Sequence, residues 1–156
     1  MHDKEAVIAQ ITSAFATVEY PGDESLISSN QGDEPFLLEE EFKGKTDWQA
    51  LNPTFLDQAP GGFASALSFF SNEAFHFYLP AYLIADLKGQ LEYTYPYYPL
   101  TLNLDPSSRF SMFNQEQAAA IVAYLTIIRD KDENELERPM IDEALIDYWY
   151  DRAGLT

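Results

Sequence analysis

Apolar residues recur at helical spacing along most of this chain, and the pattern predicts amphipathic helices in four stretches. These stretches cover about residues 4–17, 33–42, 115–129 and 139–152. Asp3 stands where it can cap the first of them, and Asn114 with Gln117 three residues later resembles a capping box before the third. Four such helices in 156 residues predict a mostly α fold.

The segment 71–89 is apolar on nearly every side, which predicts a buried central helix. Ser71 is suited to cap it, and only His76 and Asp86 are strongly polar in its body. Pro80 lies in the middle and has no N–H to donate to the carbonyl oxygen four residues earlier. We therefore expect a kink at Pro80, or two helices that meet near it, at the centre of the fold.

Apolar and polar residues alternate over 91–95 and again over 100–104, with two prolines and two tyrosines between the runs. Such alternation is typical of half-buried strands, and prolines are tolerated at the edge of a sheet. We therefore expect a minor β-hairpin near 91–104. The predicted fold class is mostly α, a compact multi-helix single domain with this hairpin.

The length and composition are those of one globular domain. Hydrophobic residues make up 46% of the chain and charged residues 22%, which is enough for one core. We predict a single domain over 1–156, in which 130–156 is a charged linker plus a C-terminal helix appended to the core. With no cysteine, no signal-peptide pattern and no apolar run of bilayer length, we expect a cytoplasmic location.

The net charge of −17, from 26 acidic against 9 basic residues, narrows the range of partners. Nucleic acid and anionic membranes bind basic surfaces, so neither is predicted as a partner. The acids concentrate in 19–41, which contains no base, and in 130–151. This distribution favours either plain solubility or a basic protein partner, and it leaves the oligomeric state open. Glu39, Glu40 and Glu41, on the polar side of a predicted helix, are candidate partner-binding residues.

The sequence carries none of the strong catalytic or nucleotide-binding motifs. It has no glycine-rich phosphate loop, no nucleophile elbow and no paired-histidine metal motif. Only His2 and His76 could serve as an imidazole base or ligand, and neither has a second ligand at a useful spacing. We therefore assign no catalytic residue and expect no cofactor.

One acidic stretch begins like a calcium-binding loop. Asp130, Asp132 and Asn134 match the opening of such a loop. Glu135 stands where the loop needs a glycine, and Ile141 stands where it needs a bidentate glutamate. Without that turn and that ligand we expect no metal site, and a solvated acidic linker is the simpler interpretation.

The kinked helix offers a place for a ligand pocket. A carbonyl freed by the proline and the polar side chains around it would face such a pocket. The candidate ligand-binding residues are His76, Tyr78, Tyr82 and Asp86. The simpler interpretation is that these side chains belong to the core or to its solvent-exposed edge.

Tyrosines cluster again just after this helix, within 93–98. Tyrosine combines an apolar ring with a polar tip and loses little entropy on binding, so exposed tyrosines suit a recognition surface. Tyr97 and Tyr98 fall at the tip of the predicted hairpin and are candidate partner-binding residues. The alternative is a core whose tyrosine hydroxyls reach the solvent.

The central segment resembles a family of small bacterial proteins of unknown function. Members share a core of the form EAFxxYLPAYLxADL, which residues 73–87 match. The YPGD sequence at 20–23 and the helix start within 114–125 are similar to two further parts of the pattern. The resemblance covers roughly 3–128, with 130–156 as an addition. It implies a compact, mostly helical bacterial domain and carries over no catalytic residue.

Three functions are compatible with these observations. The first is an acidic cytosolic interaction module of the inhibitor or immunity kind, whose acidic flanks and tyrosines would bind a basic protein. The second is a small-molecule-binding protein or enzyme with its pocket around Pro80. The third is a structural or oligomerising domain whose aromatic centre simply buries itself. The lack of catalytic motifs favours a function other than catalysis.

Overall fold

The computed structural model describes residues 3–28, 32–102 and 109–155. The α-helices are α1 (Lys4–Phe15), α2 (Asp33–Phe42), α3 (Pro53–Gln58), α4 (Ala66–Phe69), α5 (Asn72–Leu87), α6 (Gln115–Arg129), α7 (Arg138–Ala144) and α8 (Tyr150–Arg152). Short 3₁₀ turns lie at Trp48–Ala50, Arg109–Met112 and Asp132–Asn134, and a π-helical segment, Leu145–Trp149, joins α7 to α8. Within the described ranges no β-strand forms, and the mostly α prediction is confirmed.

The predicted β-hairpin near 91–104 is wrong for the described part of that range. Residues 97–102 fold into turns whose N–H groups bond to carbonyls three or four residues earlier. The N–H groups of Tyr93 and Thr94 donate to the carboxylate of Asp57 and not to a second strand. The last two positions of the predicted hairpin lie outside the described residues.

The chain forms two compact units. The terminal unit takes its residues from Met1–Thr17 and Tyr97–Thr156, and the central unit is Val18–Pro96. Helices α1, α6, α7 and α8 belong to the terminal unit, and α2 to α5 belong to the central unit. A single domain over 1–156 stays a prediction.

In the terminal unit α1 packs along α6, and polar contacts determine where both helices begin. Asp3 caps α1 by accepting a hydrogen bond from the N–H of Glu5. Asn114 and Gln117 form the predicted capping box at the start of α6. The buried Gln117 side chain also donates to the carbonyl oxygen of Ala14, so it ties the start of α6 to the end of α1.

The C-terminal helix, predicted as an appendage to the core, supplies part of the core of the terminal unit. Ile141, Leu145 and Trp149 on its apolar face are buried. The helix is less regular than predicted, because α7 passes into the π-helical segment Leu145–Trp149 before α8. A π turn contains more residues than an α turn, which shifts the register of the side chains that follow. The adjacent Tyr148 and Trp149 are both buried here.

Helix α5 is the centre of the central unit and runs as one helix through Pro80. Ser71 caps it as predicted, by accepting a hydrogen bond from the N–H of Ala74. The alternative of two helices meeting near the proline is therefore wrong. Twelve of the sixteen residues of α5 are buried, which explains why its sequence shows no polar face.

An aromatic cluster joins α2 to α5. The ring of Tyr78 lies 4.8 Å from that of Phe42 and 5.2 Å from that of Phe70, measured between centroids. Phe42 and Phe70 are themselves 5.0 Å apart in an edge-to-face arrangement. Aromatic rings at this spacing add to the stability gained from burial alone, so the cluster holds the last turn of α2 against α5.

The YPGD sequence at 20–23 has a structural role in the central unit. The Tyr20 hydroxyl donates to the Asp23 carboxylate, and the N–H of Gly44, just after α2, points at both oxygens. The ring of Tyr20 also meets Phe77 of α5 edge-on. The motif therefore provides acceptors for the N–H of the residue just after α2 and holds this end of the helix beside α5.

Candidate functional site

The four ligand-binding candidates on α5 do not share one side of the helix. Tyr78, Tyr82 and Asp86 follow one another at four-residue spacing, whereas His76 lies about 200° around the helix from Tyr78. His76 and both tyrosines are buried, and Asp86 is half-buried. A pocket around Pro80 stays a prediction.

The two buried tyrosine hydroxyls of α5 differ in their hydrogen bonding. The Tyr78 hydroxyl donates to the carbonyl oxygen of Lys45 at 2.6 Å. The Tyr82 hydroxyl is fully enclosed and has no hydrogen-bond partner among the described residues. Burial raises the pKa of the Tyr82 hydroxyl, and the negative charge of Asp57 raises it further. Burial raises the pKa of the Tyr78 hydroxyl as well, so both tyrosines are neutral at physiological pH.

Asp57 of α3 organises a second part of the central unit, and its role could not be read from the sequence. Its side chain is buried, and one carboxylate oxygen accepts hydrogen bonds from the N–H groups of Tyr93 and Thr94 at 2.9 and 3.0 Å. The Thr94 hydroxyl donates in return to the carbonyl oxygen of Asp57 at 2.8 Å. These three bonds hold the segment that follows α5 against α3.

As a consequence, the apolar and polar positions of 93–95 exchange places, with the polar residue buried and the two aromatic residues exposed. The alternation predicts a buried tyrosine face and an exposed threonine. Thr94 is only 8% exposed, whereas Tyr93 and Tyr95 are 57% and 54% exposed. We call the exposed rings of Tyr93 and Tyr95 the tyrosine surface.

The two tyrosines that the sequence singled out differ from each other in exposure. Tyr97 is 4% exposed, so its ring is part of the core and not of a surface. Tyr98 is 37% exposed and stacks on Tyr97, with the ring centroids 4.5 Å apart. Of this pair only Tyr98 has a ring that a partner can reach, and partner binding there stays a prediction.

The acidic residues of α2 divide into two groups. Glu34 accepts a hydrogen bond from the Ser65 hydroxyl, and Glu41 accepts one from the N–H of Gly61. These two acids hold the loop before α4. Glu40 is exposed and Glu39 half-exposed, and neither forms a hydrogen bond or an ion pair within the described part of the chain. Glu39 and Glu40 are therefore the members of the predicted set that remain available to a partner.

Two features that would define a class of protein are absent from the described residues. In the described ranges, no group of three or more histidine, aspartate and glutamate side chains is placed to hold a metal ion. No helix in the same ranges combines the length and the apolar composition that crossing a bilayer requires.

The described residues form a helical protein with two candidate binding groups, the exposed rings of Tyr93 and Tyr95 and the unpaired carboxylates of Glu39 and Glu40. The chain belongs to the family described as "Family of unknown function (DUF6714)", whose model matches residues 3–153. The match continues well beyond residue 128, so the C-terminal segment is part of the family pattern and not an addition to it. Comparison with curated proteins and with solved structures finds no match.

Proposed function

We propose that this protein is an acidic interaction module that binds a basic protein through its central unit, in the manner of an inhibitor or immunity protein. The observation that carries the proposal is the exposure of Tyr93 and Tyr95 beside the buried Thr94. Burying the threonine and exposing two aromatic rings forgoes apolar burial. A partner that covers the rings would recover it.

The way in which the tyrosine surface is held also supports binding. The backbone of Tyr93 and Thr94 is held by the buried Asp57, so little backbone freedom remains to be lost on binding. Tyrosine is among the residues that contribute most to binding at protein interfaces. A held segment with two exposed rings is therefore suited to be the centre of an interface.

The charge of the central unit supports a basic partner. Residues 18–96 contain thirteen acidic side chains and three basic ones, and the basic residues are Lys43, Lys45 and Lys88. Such a field speeds the approach of a basic protein and disfavours acidic ones. Glu39 and Glu40 contribute to this field, and exposed charges of this kind affect the association rate more than the affinity. The proposal places the module in a bacterial cytosol.

The test is affinity capture with the tagged full-length protein from a lysate of the source organism, followed by calorimetry with the purified partner. The variant Y93A/Y95A removes the tyrosine surface. The control L136A/L155A removes two exposed apolar side chains from the terminal unit. We expect the first variant to weaken binding by at least about tenfold and the control to change it by less than about twofold.

Two results would contradict the proposal. One is a captured partner that Y93A/Y95A binds as tightly as the unaltered protein does, with the fold of the variant verified by circular dichroism. The other is a partner whose surface is acidic, or whose affinity does not fall when the salt is raised from about 50 to about 500 mM.

A further inference from the structure

A second surface lies in the terminal unit, where a cleft of about 390 Å³ runs beside the π-helical segment. We call it the π cleft. Its walls are formed by Thr101, Leu102, Met140, Glu143, Ala144, Asp147 and Tyr148. None of these residues was a candidate in the sequence, and the volume falls within the range of known ligand pockets.

The two walls of the π cleft are joined by one buried hydrogen bond. The indole N–H of Trp149, which is fully buried, donates to the carbonyl oxygen of Leu100 at 2.7 Å. This bond ties the turn that ends in Leu102 to the helical wall. Isolated π turns within helices occur often at functional sites. The cleft thus lies beside an irregular helical segment that a buried hydrogen bond joins to the facing turn.

The charges in the π cleft are not balanced within the described residues. Glu143 and Asp147 are exposed and form no hydrogen bond or ion pair among them. The nearby arginines are committed elsewhere: Arg138 donates to the backbone carbonyl of Arg129, and Arg152 to the Tyr148 hydroxyl and to two backbone carbonyls. Neither arginine forms an ion pair with Glu143 or Asp147 in the described ranges, so both carboxylates are available to a cation of another molecule.

The apolar residues of the π cleft favour a basic side chain over a metal ion as the cation bound there. Leu102, Met140 and Ala144 provide an apolar surface, with Leu102 48% exposed. Calcium takes six to eight oxygen ligands, more than two carboxylates supply, and neither calcium nor a hydrated magnesium ion gains anything from the apolar surface. An arginine or lysine side chain matches the lining, because its aliphatic stem packs on apolar atoms while its charge reaches a carboxylate.

We propose that the π cleft docks a basic amphipathic segment of a protein partner. An arginine or lysine of the segment lies between Glu143 and Asp147, and a neighbouring apolar residue covers Leu102 and Met140. The tyrosine surface and the π cleft belong to different units of the chain. This inference goes beyond the proposed function, and either can fail without the other.

The test uses methionine methyl groups as reporters in the full-length protein. The chain has three methionines, and Met140 lines the π cleft whereas the partly exposed Met112 does not. The probe is a synthetic peptide of about fourteen residues with leucine and arginine at helical spacing. With ¹³C-methyl methionine labelling, we expect the peptide to shift the Met140 signal, identified with M140L, and to leave Met112 in place.

Two variants of equal charge locate the binding. E143Q/D147N removes the carboxylates of the cleft, and E135Q/E137Q removes two carboxylates of the same unit outside it. In fluorescence anisotropy at low salt, the first pair should weaken peptide binding at least about tenfold and the second less than about threefold. Equal losses in both variants would overturn the proposal, since they would indicate attraction to the overall charge alone.

Further titrations with the same readout distinguish a basic amphipathic segment from other ligands of the π cleft. A peptide with serine in place of leucine should bind at least about tenfold more weakly, because it lacks the apolar contact. Spermidine that shifts Met140 as strongly as the arginine–leucine peptide would overturn the assignment to a protein segment. So would a Met140 shift that grows with protein concentration alone and is accompanied by dimers in sedimentation. If the peptide shifts no Met140 signal, the proposal that the π cleft binds a basic segment is wrong. This result does not depend on the outcome for Y93A/Y95A, which tests the tyrosine surface.

Discussion

Tyr78 and Tyr82 lie one turn apart on α5, and both are buried, but their hydroxyls differ in hydrogen bonding. The first donates to the carbonyl oxygen of Lys45, and the second has no partner among the described residues. A buried hydroxyl that forms no hydrogen bond lowers stability, whereas one that forms a bond contributes modestly to it. The same chemical group is therefore stabilising at one position and costly at the next.

The matched variants Y78F and Y82F test this difference. We expect Y78F to lower the free energy of unfolding by about 1 kcal/mol, because it deletes a hydrogen bond. Y82F should raise it by about 1 kcal/mol, because it removes a hydroxyl that burial strips of water. Urea unfolding at neutral pH measures both. A loss of stability in Y82F would mean that a water molecule or another group satisfies the hydroxyl.

At the scale of elements, the segment 91–95 shows how one buried carboxylate overrides a local pattern. Alternation alone predicts that Tyr93 and Tyr95 turn inward. The hydrogen bonds from Tyr93 and Thr94 to Asp57 instead bury the Thr94 side chain and leave the rings of Tyr93 and Tyr95 exposed to solvent. An unsatisfied buried carboxylate would cost more free energy than the exposure of two rings that keep their hydroxyls hydrated.

The variant D57A tests the role of this carboxylate. It leaves two N–H groups without an acceptor, so we expect the free energy of unfolding to fall by at least about 2 kcal/mol. Amide hydrogen exchange at Tyr93 and Thr94 should become faster. The control D47A removes an exposed carboxylate that caps a 3₁₀ turn of the same unit and should cost about 1 kcal/mol or less. Equal effects of the two variants would contradict the role assigned to Asp57.

A second prediction at this scale concerns the contact between α6 and α7. Arg129 approaches both carboxylate oxygens of Asp142, at 2.5 and 3.0 Å. The hydrogen bond from Arg129 lowers the pKa of Asp142 below its ordinary value. The unfolded state therefore binds a proton at a higher pH than the folded state does. The resulting stability is present above the unfolded pKa and is lost as the pH falls through the folded pKa.

The variant D142N tests this pH dependence of stability, because it removes the charge of Asp142. At neutral pH it should be less stable than the unaltered protein by no more than about 1 kcal/mol, because the pair is partly exposed to solvent. The difference should shrink as the pH falls below about 4, the pKa of an unfolded aspartate, and should vanish once the pH is below the lowered pKa of the folded state. The control D132N removes the same charge from a position that has no ion pair in the described ranges. A deficit of D142N that persists at low pH would contradict the ionic origin of the effect.

At the scale of the whole molecule, the net charge of −17 acts against the folded state. The 26 acidic residues outnumber the 9 basic ones almost three to one, so most carboxylates have no basic side chain of their own to pair with. Most carboxylates are therefore neutralised only by the solvent. Like charges that repel in the compact state are separated on unfolding, so the repulsion lowers stability.

Added salt should therefore stabilise the protein. Between about 20 and about 300 mM sodium chloride, the free energy of unfolding should rise by on the order of 1 kcal/mol as the repulsion is screened. Urea unfolding at each concentration measures the change. Choline chloride at equal ionic strength is the control and should give the same gain. A gain with sodium alone would indicate a bound cation in place of screening.

The helices could be predicted because their signals act within one or two turns of the chain. Asp3, Ser71 and Asn114 cap α1, α5 and α6 where expected, since the side chain and the N–H that it accepts from are two or three residues apart. The π-helical segment was missed because its sequence keeps an ordinary apolar spacing. The tyrosine surface was missed because the residue that creates it, Asp57, is 36 residues away from Tyr93.

The sequence by itself determined the mostly helical fold, the helix starts, the buried α5 and the acidic surface. Each of these depends on local spacing or on composition, which a linear pattern records. Only the tertiary structure decided that Tyr97 is buried, that Tyr93 and Tyr95 are exposed and that two carboxylates share the π cleft with an apolar surface. These features depend on hydrogen bonds between residues far apart in the chain, such as those of Asp57 and Trp149. When such bonds are buried they outweigh the local preference of the segment that they hold.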